Sequence, residues 1–172
     1  MKSQFEIPFV GLKIGHHDFE FDIDKSFFEK IPYSLIDNGR LMVNLELEKK
    51  ETMLIAQFEV SGFIDVTCAR CNEEMEEYIE GELVLYYKFG LEDEEDENLI
   101  VISPDAYFID VTQPIYELIT VSMPSRSVHD EGDCNPEMVN LIERFGSNQG
   151  DNKPDSDDDD IDPRWAALKN LN

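Results

Sequence analysis

An α+β fold, a curved antiparallel sheet or partial barrel with two or three helices packed against it, follows from three features of this sequence. Apolar and polar residues alternate with a period of two through much of the first half. The joins between those stretches are short, which favours antiparallel hairpins. Helical spacing of apolar residues comes late, after residue 110.

In the first stretch Phe19, Phe21 and Ile23 sit between Asp18, Glu20, Asp22 and Asp24, as on a strand with one wet face. Ser26-Phe27-Phe28-Glu29 has capping-box spacing and predicts a short helix over 26–31. Leu41, Val43, Leu45 and Leu47 predict a second strand. A third runs from Leu54 through Ala56, Phe58, Val60, Ile64 and Val66 to Cys68, with a bend expected at Gly62. Alternation resumes at Ile79, Leu83, Leu85, Tyr87 and Phe89, so 68–71 falls at the tip of a long hairpin. A short strand is expected over 99–103.

Asp110-Val111-Thr112-Gln113 again has capping-box spacing. Val111, Ile115, Leu118, Ile119 and Ser122 lie on one helical face before Pro124 stops the helix, and this helix should cover the sheet. Asn135 and Pro136 suit N-cap and N1 positions, and Met138, Leu141, Ile142 and Phe145 form an apolar stripe behind them. The segment after Gly146 is too poor in apolar residues to offset its ordering entropy, which predicts an acidic disordered tail. A short C-terminal helix with Trp165, Leu168 and Leu171 on one side is expected after Asp162 and Pro163. The organisation read from the sequence is a domain over 1–146, a linker over 147–162 and a terminal box over 163–172.

With 39 acidic and 14 basic residues among 172, the formal charge is −25. Such a chain repels the phosphate backbone, so extensive direct RNA binding is disfavoured and attraction to a basic partner is the functional reading; simple solubility is the bland one. The acids of 92–97 and of the Asp-rich 151–162 form two runs, yet the remainder is still acidic. The N-terminus lacks the basic and apolar regions of a signal peptide. No stretch nears the apolar run of about 18 residues that a membrane span needs, so a cytoplasmic location is expected.

Cys68-Ala69-Arg70-Cys71 has the spacing with which two thiolates clamp a tetrahedral zinc ion. Cys134, with His129 five residues before it, would complete a closed structural set; His16 and His17 compete as ligands but suit an exposed turn. A thiol pair without metal is the other reading, and a redox pair is disfavoured because the flanks read as strands and no βαβ pattern surrounds them. Phosphate loops, nucleophile elbows, paired helical histidines and deaminase signatures do not occur, so no catalytic constellation is found and a non-enzyme is expected.

Four segments in order carry a resemblance: Val66-Thr67-Cys68-Ala69-Arg70-Cys71, Met123-Pro124, Val128-His129-Asp130 with Cys134, and Asp162-Pro163-Arg164-Trp165-Ala166-Ala167-Leu168-Lys169. Together they resemble the YceD family of large ribosomal RNA subunit accumulation proteins. The resemblance implies a factor in synthesis, processing or stability of the large-subunit ribosomal RNA. Some relatives carry a second cysteine cluster before the terminal box, where this chain has aspartates, so a second metal site is not expected. Given the charge, the expected partner is a basic ribosomal protein or large-subunit assembly factor. Arg70, Pro163, Arg164, Trp165 and Leu168 are the candidate contacts. An acidic adaptor or chaperone unrelated to ribosomes, and a zinc or thiol enzyme using Cys68 and Cys71, are the alternatives.

Overall fold

The structure is a computed structural model and describes residues 4–90, 96 and 98–145. Its centre is a five-stranded sheet made by β2 (Gly15–Ile23), β3 (Gly39–Lys49), β4 (Met53–Thr67), β5 (Glu74–Phe89) and β6 (Leu99–Ile102), in that spatial order. The sheet is curved and does not close on itself. Pairings from β2 to β5 are antiparallel, as the alternation and short joins predict. β6 differs: it lies parallel to β5, pairing Tyr86 with Leu99 and Phe89 with Ile102, so the sheet is mixed at one edge. Residues 90–98 join β5 to β6, a longer connection than a two-residue hairpin turn.

The four antiparallel strands β2 to β5 each bury one parity of residues. Val43, Leu45 and Leu47 of β3, Leu54, Ala56 and Phe58 of β4, and Leu85 and Tyr87 of β5 meet in one core. The helix α2 (Thr112–Ser122) adds Ile115, Leu118 and Ile119 to it, and the short α1 (Lys25–Phe28) adds Phe27 and Phe28. Burial of each such side chain contributes about 1.5–3 kcal/mol. Phe5, Ile7 and Phe9 also enter the core, through β1 (Glu6–Ile7) paired antiparallel with β7 (Ile109–Asp110). This two-stranded element was not foreseen, although Phe5, Ile7 and Phe9 alternate as strand residues do.

Both caps differ in detail from the capping boxes. Asp24, not Ser26, caps α1: its Oδ1 accepts from the Ser26 amide at 2.9 Å and from the Ser26 hydroxyl at 2.6 Å, so that hydroxyl is no longer free to cap. At α2, Asp110 Oδ1 likewise takes the Thr112 amide and hydroxyl, while Gln113 donates forwards to Glu117. At α1 the carboxylate accepts more strongly than the hydroxyl and wins; at α2 the cap position falls on Val111, which makes no side-chain cap hydrogen bond.

Gly62 lies within β4 at φ 144°, directly across from Leu41. A Cβ there would stand 2.3 Å from the Arg40 carbonyl oxygen, so only glycine lets β3 and β4 keep their register. Gly81 of β5 does the same for α2, since a Cβ would stand 2.0 Å from the Ser122 hydroxyl oxygen.

Among the described residues, one buried side-chain polar atom, the Tyr87 hydroxyl, has no hydrogen-bond partner. Burial, then the charges of Asp110 and Glu117, hold its phenol well above the ordinary range. Tyr87→Phe removes the orphaned group and keeps the ring, so urea melts should show a gain of about 1 kcal/mol. A loss of that size would mean that the hydroxyl is paired in solution.

The chain divides into two compact units, Met1–Asn135 and Pro136–Asn172. The first holds both sheets, α1 and α2. The described part of the second is α3 (Pro136–Phe145), whose stripe of Met138, Leu141, Ile142 and Phe145 has the predicted spacing and includes no fully buried residue. The acidic linker and the terminal box with Pro163, Arg164, Trp165 and Leu168 lie outside the described residues. Among the described residues, no helix is long and apolar enough to cross a membrane.

Candidate metal centre and acidic sheet face

The β4–β5 hairpin places Cys68 one residue past the end of β4 and Cys71 three residues before β5. A tight turn holds them: the Cys68 amide donates to the Glu73 carbonyl at 2.8 Å, the Asn72 amide donates to the Cys68 carbonyl at 2.9 Å, and Asn72 sits at φ 61°. The loop after α2 comes alongside, since Ala69 N–H donates to the Ser127 carbonyl at 2.8 Å. That loop delivers His129 and Cys134.

Cys68, Cys71, His129 and Cys134 converge, with ligand atoms all within 4.8 Å of one another. Cys68 Sγ lies 3.9 Å from Cys134 Sγ, Cys71 Sγ lies 3.3 Å from His129 Nδ1, and Cys134 Sγ lies 3.9 Å from the same nitrogen. Tetrahedral ligands at about 2.0–2.3 Å from zinc stand roughly 3.3–3.8 Å apart, so the cluster lies close to those dimensions and would contract slightly around an ion. All three cysteines are buried and unbridged, which leaves their sulfurs free to ligate.

Backbone amides supply the electrostatics. Burial alone raises the Cys68 thiol, but the amides of Cys71, His129 and Arg70 directed at its sulfur overcome this and hold it at about 5. The Arg70 and His129 amides lie 3.4 Å from that sulfur. Cys71 is lowered too, with the amides of Asn135 and Glu73 outweighing burial. Cys134 is raised by burial and then by the neighbouring thiols, whereas His129 is raised because contacts with Cys71 and Cys68 outweigh its burial. Thiolates gathered around one imidazole in this way make a soft donor set suited to zinc.

Arg70 is exposed, yet its Nη1 donates to Cys134 Sγ at 3.7 Å and so places a positive charge beside the sulfur cluster. The amide donors and the Ser127 carbonyl were not visible in the sequence, because a backbone group leaves no signature in residue identity. His16 and His17 do not join the cluster: His16 Nδ1 lies 2.5 Å from Glu46 Oε1, and His17 Nε2 lies 2.8 Å from the Lys13 carbonyl.

On the solvent face of the sheet, acids line up across strands. Asp18 stands opposite Glu46, Glu59 opposite Glu82, and Asp65 opposite Glu76. Like charges directly opposite destabilise a sheet, so this arrangement costs stability in the free protein. Arg40 relieves part of it by pairing with Glu76, and Phe63 and Tyr78 form an exposed edge-to-face pair at 5.3 Å.

A small α+β domain whose long hairpin ends in a three-sulfur, one-nitrogen cluster, under an acidic sheet face, is thus the class of protein that the fold and site define. A family comparison makes it particular: residues 56–172 match the profile of the large ribosomal RNA subunit accumulation protein YceD. The chain belongs to the YceD family. The match takes in β4, β5, α2, all four cluster residues and the terminal box. Comparisons with curated proteins and with solved structures gave no match. The family name implies a role in accumulation of the large ribosomal RNA and denotes no enzymatic activity.

Proposed function

We propose that this protein is a non-enzymatic, cytoplasmic factor that supports accumulation, processing or stability of large-subunit ribosomal RNA by binding a basic ribosomal protein or assembly factor. The observation that carries the reading is the charge of −25 on a member of an rRNA accumulation family. A surface of that sign repels RNA and draws in the lysine- and arginine-rich proteins that RNA itself would bind. Mutually repelling acids such as Glu59 and Glu82 then gain in the complex what they lose in the free chain.

Cys68, Cys71, His129 and Cys134 hold a structural zinc ion in this reading. Four protein ligands leave no open position for a reacting water, so the site fits a staple better than a hydrolytic centre. Zinc would tie the hairpin tip to the loop after α2 and so fix the acidic face at its far end. Arg70, Pro163, Arg164, Trp165 and Leu168 are the proposed partner contacts, with Trp165 as the principal apolar anchor.

Affinity isolation from native lysate at low and high salt tests the proposal. Ribosomal proteins or assembly intermediates should be recovered at low salt and lost at high salt, while a defined small-molecule turnover in their absence would favour the enzyme alternative. Trp165→Ala should weaken the association by at least about tenfold, since a large aromatic anchor supplies about 2 kcal/mol or more. An unchanged Tm in that variant places the anchor on the partner, and a lowered Tm places it on the chain's own core. Unchanged binding removes Trp165 from the interface.

A further inference from the structure

We infer that the open edge of β5 is a docking site for an extended, lysine- or arginine-bearing segment of another protein, which adds to the sheet as a further strand. The inference rests on the basic-partner reading and gives it a location. Among the described residues β5 is paired with β4 from Glu74 to Lys88, but on its other side β6 covers only its last four residues, beginning at Tyr86. The stretch from Glu74 to Leu85 has no strand beside it.

The direction of its peptide groups can be read from the short covered part. The amides of Tyr86 and Gly90 donate across this edge to the carbonyls of Asn98 and Ile102, at 2.8 and 3.0 Å. Even-numbered residues therefore aim N–H and C=O outwards, and the β4–β5 register runs without a bulge back to Glu74. Glu74, Glu76, Tyr78, Glu80, Glu82 and Val84 turn their peptide groups to that edge, and their side chains lie on the solvent face. A free edge of this length is a template for strand addition.

Charge selects the occupant. An incoming strand would set alternate side chains beside glutamates 74, 76, 80 and 82, with Glu59 and Asp65 one strand further in. Lysine or arginine at those alternate positions would neutralise the row, and an apolar side chain between them would meet the exposed Phe63 and Tyr78 rings. A second copy would bring glutamates against glutamates, RNA would bring phosphates, and the chain's own Asp-rich 151–162 carries the same sign as the edge. Edge charges also deter aggregation, but that purpose does not require acids to face acids across β4 and β5.

The test uses the full zinc-treated chain and a synthetic peptide alternating lysine and valine, followed by amide hydrogen exchange and binding titration. The peptide should slow exchange by at least about tenfold at the amides of Tyr78, Glu80, Glu82 and Val84. The same peptide N-methylated at alternate residues, on the edge that pairs, should bind at least about tenfold more weakly, because it loses the ladder but keeps every charge. Salt-sensitive binding without that protection, or with protection along β2 instead, overturns the edge assignment and leaves the basic-partner reading standing. Protection already present without peptide means that the chain or a second copy covers the edge, and also overturns it. Absence of binding even at low salt removes both.

Discussion

Gly62→Ala is expected to lower stability by about 4 kcal/mol or more, because no small adjustment relieves it. The added methyl carbon would lie 2.3 Å from the Arg40 carbonyl oxygen and 2.7 Å from Leu41 Cα, and both are backbone atoms of the neighbouring strand. The residue also holds φ 144°, which an L side chain rarely adopts. Relief requires β3 and β4 to part around Gly62, and the buried Leu41, Val60 and Ile64 would lose packing with them. Thermal melts should show Tm lowered by about 10 °C or more, at roughly 2–4 °C per kcal/mol for a chain of this size. Gly11→Ala, where a Cβ meets nothing within 4 Å, should stay within about 1 kcal/mol of the parent. Equal effects at the two positions would contradict the close approach.

Zinc should bind the metal-free protein with one ion per chain and raise its stability. At free zinc about a hundredfold to a thousandfold above Kd, the gain is roughly 2.7–4.1 kcal/mol. Cys71→Ser and Cys134→Ser should each abolish that gain, since a hydroxyl is a poor substitute for a thiolate at a zinc site. The pH dependence has a definite sign. Protons and metal compete for the same atoms, so affinity should fall on acidification. Cys134, raised above its ordinary value, should take up a proton before Cys68, which is held at about 5. Calorimetry in buffers of different ionisation enthalpy would count the protons released. Zinc binding without a rise in Tm, or full retention of the rise in Cys71→Ser, would contradict the four-ligand staple.

The strands were legible because burial on one face imposes a period of two on β2, β3, β4 and β5, and alternation such as Leu41, Val43, Leu45, Leu47 has no other simple cause. The convergence of Cys68, Cys71, His129 and Cys134 was legible because ligand chemistry restricts residue type, leaving these four as the inventory nearest to a closed set. What escaped had weaker sequence signals. Nothing in Leu99 to Ile102 encodes the parallel direction of β6. The true cap of α1 depended on a contest between Asp24 and Ser26 that spacing alone does not decide. The open edge of β5 is a property of which strands are neighbours, and so emerges only from the assembled sheet.

The proposed role of this acidic YceD family protein is on the protein side of large-subunit assembly. Its most direct test is a competition at physiological salt, in which the purified, zinc-loaded chain is titrated with naked large-subunit ribosomal RNA and, separately, with purified large-subunit ribosomal proteins. The account predicts saturable, salt-sensitive binding to one or a few basic proteins and negligible affinity for the RNA. Tight binding to the naked RNA, with none to the proteins, would contradict it.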